Sequence, residues 1–226
     1  MQLHIVRHGQ TDWNAERRIQ GQLDSQLDEV GQQQAIDRGS DFANMALNTV
    51  YSSSSLRTRQ TTELLLGDRH DLVTFRDDLR EVRLGVWQGF YWSDIEREHP
   101  EMVEAHNNAS PDFNVEGAEK SSEVQERGVA AIESIIAAHN QAAESDNILI
   151  VSHGAIMKTI LAHYLDVPLS DMITLPSLPN CAHCILEVID DQRQVRIISS
   201  TPLEQTPWSA ENRKTRSTVT HRITPP

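Results

Sequence analysis

An α/β fold, a three-layer α/β/α sandwich around a mostly parallel sheet, is predicted by three features of the sequence. Short apolar runs alternate with longer stretches of helical period, the signature of strands joined by crossover helices. Two late runs flank "DDQR", a hairpin-like turn, which adds one antiparallel edge strand. Residues 85–120 lack either period and read as a helical insertion near a site.

Taken in order, the first strand is Leu3–Val6, followed by a helix over Glu29–Asn44. A strand at Thr49–Ser52 leads into a helix at Ser55–Leu66, and a third strand spans Leu72–Phe75. The insertion carries Trp87, Tyr91 and Trp92, which suit an apolar roof over a substrate or ordinary core packing equally. Ser121–His139 has the clearest helical spacing, with Val124, Gly128, Ile132, Ile135 and Ile136 on one face. The most apolar strand, Ile148–Ser152, precedes a helix over Ala155–Leu165, and His183–Ile189 and Gln194–Ile198 complete the sheet. One domain is therefore expected over 1–200. The polar segment 201–226, with four prolines, is expected to form an extended tail.

Composition narrows the functional classes. The chain has 226 residues, 38% of them hydrophobic, enough for one large core. A formal net charge of -13 argues against nucleic acid or an anionic membrane as main partner. It leaves room for a small phosphorylated metabolite, because a few arginines dominate a pocket once distant charges are screened beyond roughly 8 Å. No run approaches the roughly 20 apolar residues that span a bilayer, and no secretory signal is expected. Two cysteines build no disulfide framework, so a reduced, cytoplasmic setting is expected. The pair itself, Cys181 and Cys184 in "CAHC", supplies too few ligands for a metal site. Oligomeric state is open, a homodimer included.

Four stretches put chemistry where a strand gives way to a loop or helix. Arg7 and His8 follow the first strand, and Arg57 lies in the first turn of the helix after the second. Glu81 lies just beyond the third strand, and His153 ends the most apolar one, with Gly154 next. In a parallel sheet the carboxyl ends share one edge, so these groups can converge. Two guanidinium groups suit a phosphate, a neutral imidazole is a competent nucleophile toward phosphorus, and a carboxylic acid can protonate a departing alkoxide. Such a set needs no metal and no other cofactor.

The motifs "IVRHGQT", "SSLRTRQT", "LREVRLGVWQG" and "VSHGA" resemble, in that order, those of the histidine phosphatase superfamily, the phosphoglycerate mutase-like family. The resemblance implies that His8 is the nucleophile that becomes phosphorylated. It implies that Arg7, Arg57 and His153 bind the phosphoryl group, and that Glu81 is the proton donor and later the base. Asn14 and Gly21 match positions lining the phosphate pocket, and Gly154 is assigned to substrate binding with them. Asp28, Gln88 and Lys120 depart from the usual pattern. Asp28 can still cap a helix; Gln88 and Lys120 fall near the insertion and bear on specificity. His99, His106 and His163 have no motif support.

The same set could hydrolyse a phosphate ester, relocate a phosphate as a mutase does, or merely bind a phospho-ligand. Between Glu81 and His153 the basic residues are only Arg83, Arg97, Lys120 and Arg127, few for a second phosphate. A cofactor-independent phosphatase of small phosphomonoesters is the favoured reading, a mutase the alternative, and a binder the second alternative.

Overall fold

Alternate side chains of a strand reach opposite faces, and the first strand uses both. In the computed structural model, which describes residues 1–139, 143, 146–190 and 192–208, β1 spans Gln2–Arg7 and β4 spans Asn147–Ser152. Val6, Leu149 and Val151 face one way, with Val50, against Phe42, Leu65 and Leu66. Leu3, Ile5, Ile148 and Ile150 face the other way, against Ile132, Ile135, Ile156 and Ile160. Those partners lie on α2 (Glu29–Phe42) and α3 (Leu56–Leu66) on one side, and α6 (Ser121–Ala138) and α7 (Gly154–Tyr164) on the other. Hence the three layers. Each buried aliphatic side chain contributes about 1.5–3 kcal/mol, so β4, apolar on both faces, and β1, which adds Leu3 and Ile5 on one face and Val6 on the other, form the spine.

The other strands are β2 (Leu47–Ser53), β3 (Val73–Arg76), β5 (His183–Ile189), β6 (Gln192–Ile198) and β7 (Thr201–Pro202). The sheet order is β3-β2-β4-β1-β5-β6-β7. From β3 to β1 all neighbours are parallel; β5, β6 and β7 then pair antiparallel in succession. The antiparallel part is therefore larger than the single edge strand expected. The short β5–β6 connection forces antiparallel neighbours, and β5, not β6, takes the free side of β1.

The insertion is helical: α4 (Trp92–Glu98) and α5 (Pro100–Asn107) follow a 3-10 turn at Gly85–Trp87. A one-turn helix, α1 (Asp12–Ala15), was not legible in "TDWN"; it closes with a capping box between Thr11 and Asn14. The expected tail begins folded. Thr201–Pro202 pair with β6, and Trp208 is buried with its indole N–H donating to the Thr174 carbonyl at 3.3 Å. Residues 209–226 of that tail lie outside the described residues. No described helix is long and apolar enough to cross a membrane.

Candidate active site

The carboxyl ends of β1, β2, β3 and β4 share one edge, as parallel strands must, and the expected groups gather there. Arg7 lies opposite Ser152 in the β1–β4 register. The next residues on each strand are His8 and His153, whose ring centroids are 5.2 Å apart. A cavity of about 160 Å³ at this edge is lined by Arg7, His8, Asn14, Gly21, Arg57 and Glu81. His153 stands behind Arg57, and Gly154 sits beneath Arg7.

His8 is buried, and its Nδ1 lies 2.7 Å from the Gly9 carbonyl. A carbonyl only accepts, so Nδ1 carries the proton and Nε2 keeps its lone pair. Burial, then the charges of Arg57 and Arg7, push the His8 pKa well below the ordinary 6.5. The ring is therefore neutral at neutral pH, as a nucleophile must be. Its backbone is pinned too: the Ser152 carbonyl accepts from its N–H at 3.0 Å, and Asn180 Nδ2 donates to its carbonyl at 3.1 Å.

Arg57 is 1% exposed, with every guanidinium nitrogen engaged. Nη1 donates to the Leu23 carbonyl at 2.9 Å, Nη2 to the Gly21 carbonyl at 2.8 Å and Nε to His153 Nδ1 at 3.1 Å. Burial lowers its pKa to about 10, which still leaves it charged. His153, fully buried, accepts at Nδ1, so Nε2 carries its proton and donates to Ser53 Oγ at 2.8 Å. Both ring nitrogens have protein partners, so His153 orients Arg57 in this state. Arg7 Nη1 donates to the Leu178 carbonyl, while its buried Nε has no hydrogen-bond partner among the described residues. A Cβ on Gly154 would come within 3.2 Å of that Nε, so glycine there leaves room for the guanidinium.

Glu81 is held by the start of α7. Its Oε1 accepts from the N–H groups of Val82 and Ile156, each at 3.0 Å, and Oε2 from that of Ala155 at 3.1 Å. A carboxyl group offers about four lone-pair positions, so Oε2 keeps one for a proton. Asn14 Oδ1 accepts from Thr11 and Asn180, which ties it to the His8 support. Gly21 has φ +53°, and a Cβ there would collide with Gln88 Oε1 at 2.1 Å.

Residues 3–201, which carry all of these groups, match a family model, "Histidine phosphatase superfamily (branch 1)". The chain belongs to the histidine phosphatase superfamily. A 168-residue stretch is 32% identical to "Probable phosphoglycerate mutase GpmB" of Salmonella choleraesuis, covering 74% of this chain and 76% of that one. Among solved structures, YhfR of Bacillus stearothermophilus superposes with a TM-score of 0.81 at 32% identity, over 88% of this chain and 96% of that one. A mycobacterial glucosyl-3-phosphoglycerate phosphatase in complex with inorganic phosphate gives 0.76 at 26% identity, covering 88% of this chain and 97% of that one.

Arg18, Trp92 and His106 also line the cavity; the sequence placed Trp92 among the roof candidates and gave no mark for the other two. Arg18 stands at the rim between the Trp13 and Tyr91 rings, 5.0 Å from each centroid, with Glu16 at 3.3 Å. Trp92 and His106 come from the insertion and stack on each other at 6.0 Å. The aromatic trio thus divides: Trp87 is core, Trp92 lines the cavity and Tyr91 braces Arg18. No local signal in "EAHNN" marks His106; only the path of α5 brings it in.

The departures from the family pattern are largely structural. Asp28 caps α2 by accepting from the Gly31 N–H at 2.7 Å. Gln88 does not line the cavity; its Oε1 accepts from the Gln22 N–H at 2.8 Å, a task a glutamate would also perform. Lys120 donates to the Pro111 carbonyl away from the cavity. Cys181 and Cys184 are buried thiols with pKa values raised to about 11, which makes them poor nucleophiles. Among the described residues no cluster of three or more His, Cys, Asp or Glu could hold a metal ion.

Proposed function

We propose that the chain is a metal-independent phosphatase of small phosphomonoesters, working through a phosphohistidine on His8. The observation that carries this reading is the neutral His8 ring. Its free Nε2 stands beside the buried Arg57 and the half-buried Arg7 guanidinium groups and lines the same cavity as Glu81. Arg7 and Arg57 hold the phosphate and stabilise the charge that spreads over its oxygens. His8 Nε2 attacks phosphorus, the phosphorus–oxygen ester bond breaks, and the Glu81 carboxylic acid gives its proton to the departing alkoxide. The alcohol leaves. Water then attacks the phosphohistidine while the Glu81 carboxylate takes its proton, releasing inorganic phosphate and restoring the acid. His153 acts by fixing Arg57, and Asn14, Gly21 and Gly154 shape the phosphate pocket.

A cavity of about 160 Å³ suits a small phosphorylated metabolite, the cytoplasm being its proposed setting. The relative named a mutase favours phosphate relocation as the second reading. Against it, each basic residue between Glu81 and His153 is engaged elsewhere: Arg83 with Gly117, Arg97 with Asp94 and Glu98, Lys120 with Pro111, and Arg127 with Glu119. None lines the cavity. A mutase holds a second phosphate; these four residues offer it no cation, and Arg18 at the cavity rim is already paired with Glu16.

Brief incubation with a labelled phosphomonoester tests the reading. It should leave an acid-labile, alkali-stable phosphoenzyme that His8→Ala lacks. Label retained by His8→Ala would overturn the assignment. Hydrolysis of a phosphomonoester panel without 2,3-bisphosphoglycerate supports the phosphatase; phosphate relocation only with it supports the mutase.

A further inference from the structure

A second cavity, about 150 Å³, adjoins the first and shares Val82, His106 and Ala155 as a common wall. The shared wall lies on the side where Ala155 holds Glu81 Oε2. On the phosphatase reading, this is the side toward which the alcohol departs, because Glu81 must reach the ester oxygen. The second cavity is mostly apolar, with Val124, Met172 and Ile173 among its lining residues. An apolar cavity of about 150 Å³ admits a benzene-sized group.

One cation completes it. Lys158 lines this cavity three residues beyond Ala155 on α7, one turn along and on the same face. It is half-buried and has no hydrogen-bond or ion-pair partner among the described residues. Arg18, at the rim of the first cavity, has Glu16 and Tyr91 instead. Burial lowers the Lys158 pKa from its ordinary value, a penalty that an anion beside it would offset.

We infer that the second cavity is the subsite for the leaving alcohol, and that it selects phosphomonoesters whose alcohol has a ring-sized apolar body bearing an anionic group that pairs with Lys158. The inference rests on the phosphatase reading and adds its substrate class. The phosphate stays on Arg7 and Arg57, the ring fills the space between α5 and α7, and the anion reaches the ammonium.

Three esters test it: ethyl phosphate, benzyl phosphate and 4-carboxybenzyl phosphate. The order of kcat/KM should rise from the first to the last. Lys158→Met should lose about tenfold more on the carboxylated ester than on benzyl phosphate, the scale of a hydrogen bond to a charged group. Met172→Trp, which fills the cavity, should lose more on benzyl than on ethyl phosphate. Equal losses on the compared esters, or no preference in the unaltered enzyme, would overturn the subsite while leaving the phosphatase standing. No hydrolysis of any ester, with no phosphoenzyme, would overturn the phosphatase and the subsite together.

Discussion

Arg57 Nε donates to His153 Nδ1 at 3.1 Å, with both side chains buried behind His8. That bond joins the α3 start to the β4 end, and the remaining guanidinium nitrogens fasten the loop carrying Gly21 and Leu23. The fork geometry is therefore as important as the charge. A lysine keeps the charge but not the planar fork. Arg57→Lys should lower kcat/KM by about 100- to 1000-fold, the scale of removing one donor from a charge-stabilising site. Steady-state kinetics would check this, and a loss below tenfold would mean that charge alone suffices.

Glu81 carries a different kind of expectation, because its task depends on the leaving group. Glu81→Gln has no proton to give, which matters little when a nitrophenolate departs and greatly when an alkoxide does. General acid catalysis is worth about 100- to 10,000-fold. The variant should lose at least about 100-fold more on ethyl phosphate than on p-nitrophenyl phosphate. Both esters meet the same altered site, so the ratio cancels any shift in position. Equal losses would remove Glu81 from the acid role.

Gly21 links stability to the site. Its φ of +53° and its contact with Gln88 both reject a side chain. Gly21→Ala should destabilise the fold by about 1–3 kcal/mol, read from the denaturant midpoint. Adding Gln88→Ala should recover the steric part and leave the backbone part. A Gly21→Ala protein as stable as the parent would contradict this geometry.

Acid should weaken the fold through its buried histidines. Burial lowers the pKa of His4, His8, His106, His153 and His183, the last to about 4. Below the ordinary pKa of 6.5 the unfolded chain takes up protons that the native state refuses, so stability is full above that pH and falls as pH drops. For His183 alone the loss between pH 6.5 and 4 is on the order of 2–3 kcal/mol. His183→Gln should flatten the dependence of unfolding free energy on pH by up to about 1.4 kcal/mol per pH unit. An unchanged slope would exclude His183 as a source.

Much of the fold was legible because strand and helix periods are local. The run His183–Ile189 coincides with β5, and Ser121–His139 overshoots α6 by one residue. The antiparallel part was underestimated, since pairing partners lie far apart in sequence: β5 chose β1, 176 or more positions away. The four motifs located His8, Arg57 and His153 because each directly follows a strand or lies in the first turn of the helix after one. Glu81, by contrast, lies in the loop five residues beyond β3. His106, Arg18 and Trp92 left no such mark. They reach the cavity through the packing of α4, α5 and the loop before Gly21, not through any spacing in the chain.

By itself the sequence determined the alternation of strands and helices, the residue types that phosphate chemistry requires, and their order at one edge of a sheet. Those depend on the identity and period of neighbouring residues. Only the tertiary structure decided that His153 faces Arg57 with both ring nitrogens engaged, that the start of α7 grips Glu81, and that Lys158, unpaired among the described residues, lines a second cavity beside the first. These are relations of distance and burial between segments far apart in the chain. The tripeptide Arg7-His8-Gly9 drew attention to His8; the hydrogen bond to the Gly9 carbonyl places the ring proton on Nδ1 and leaves the lone pair on Nε2.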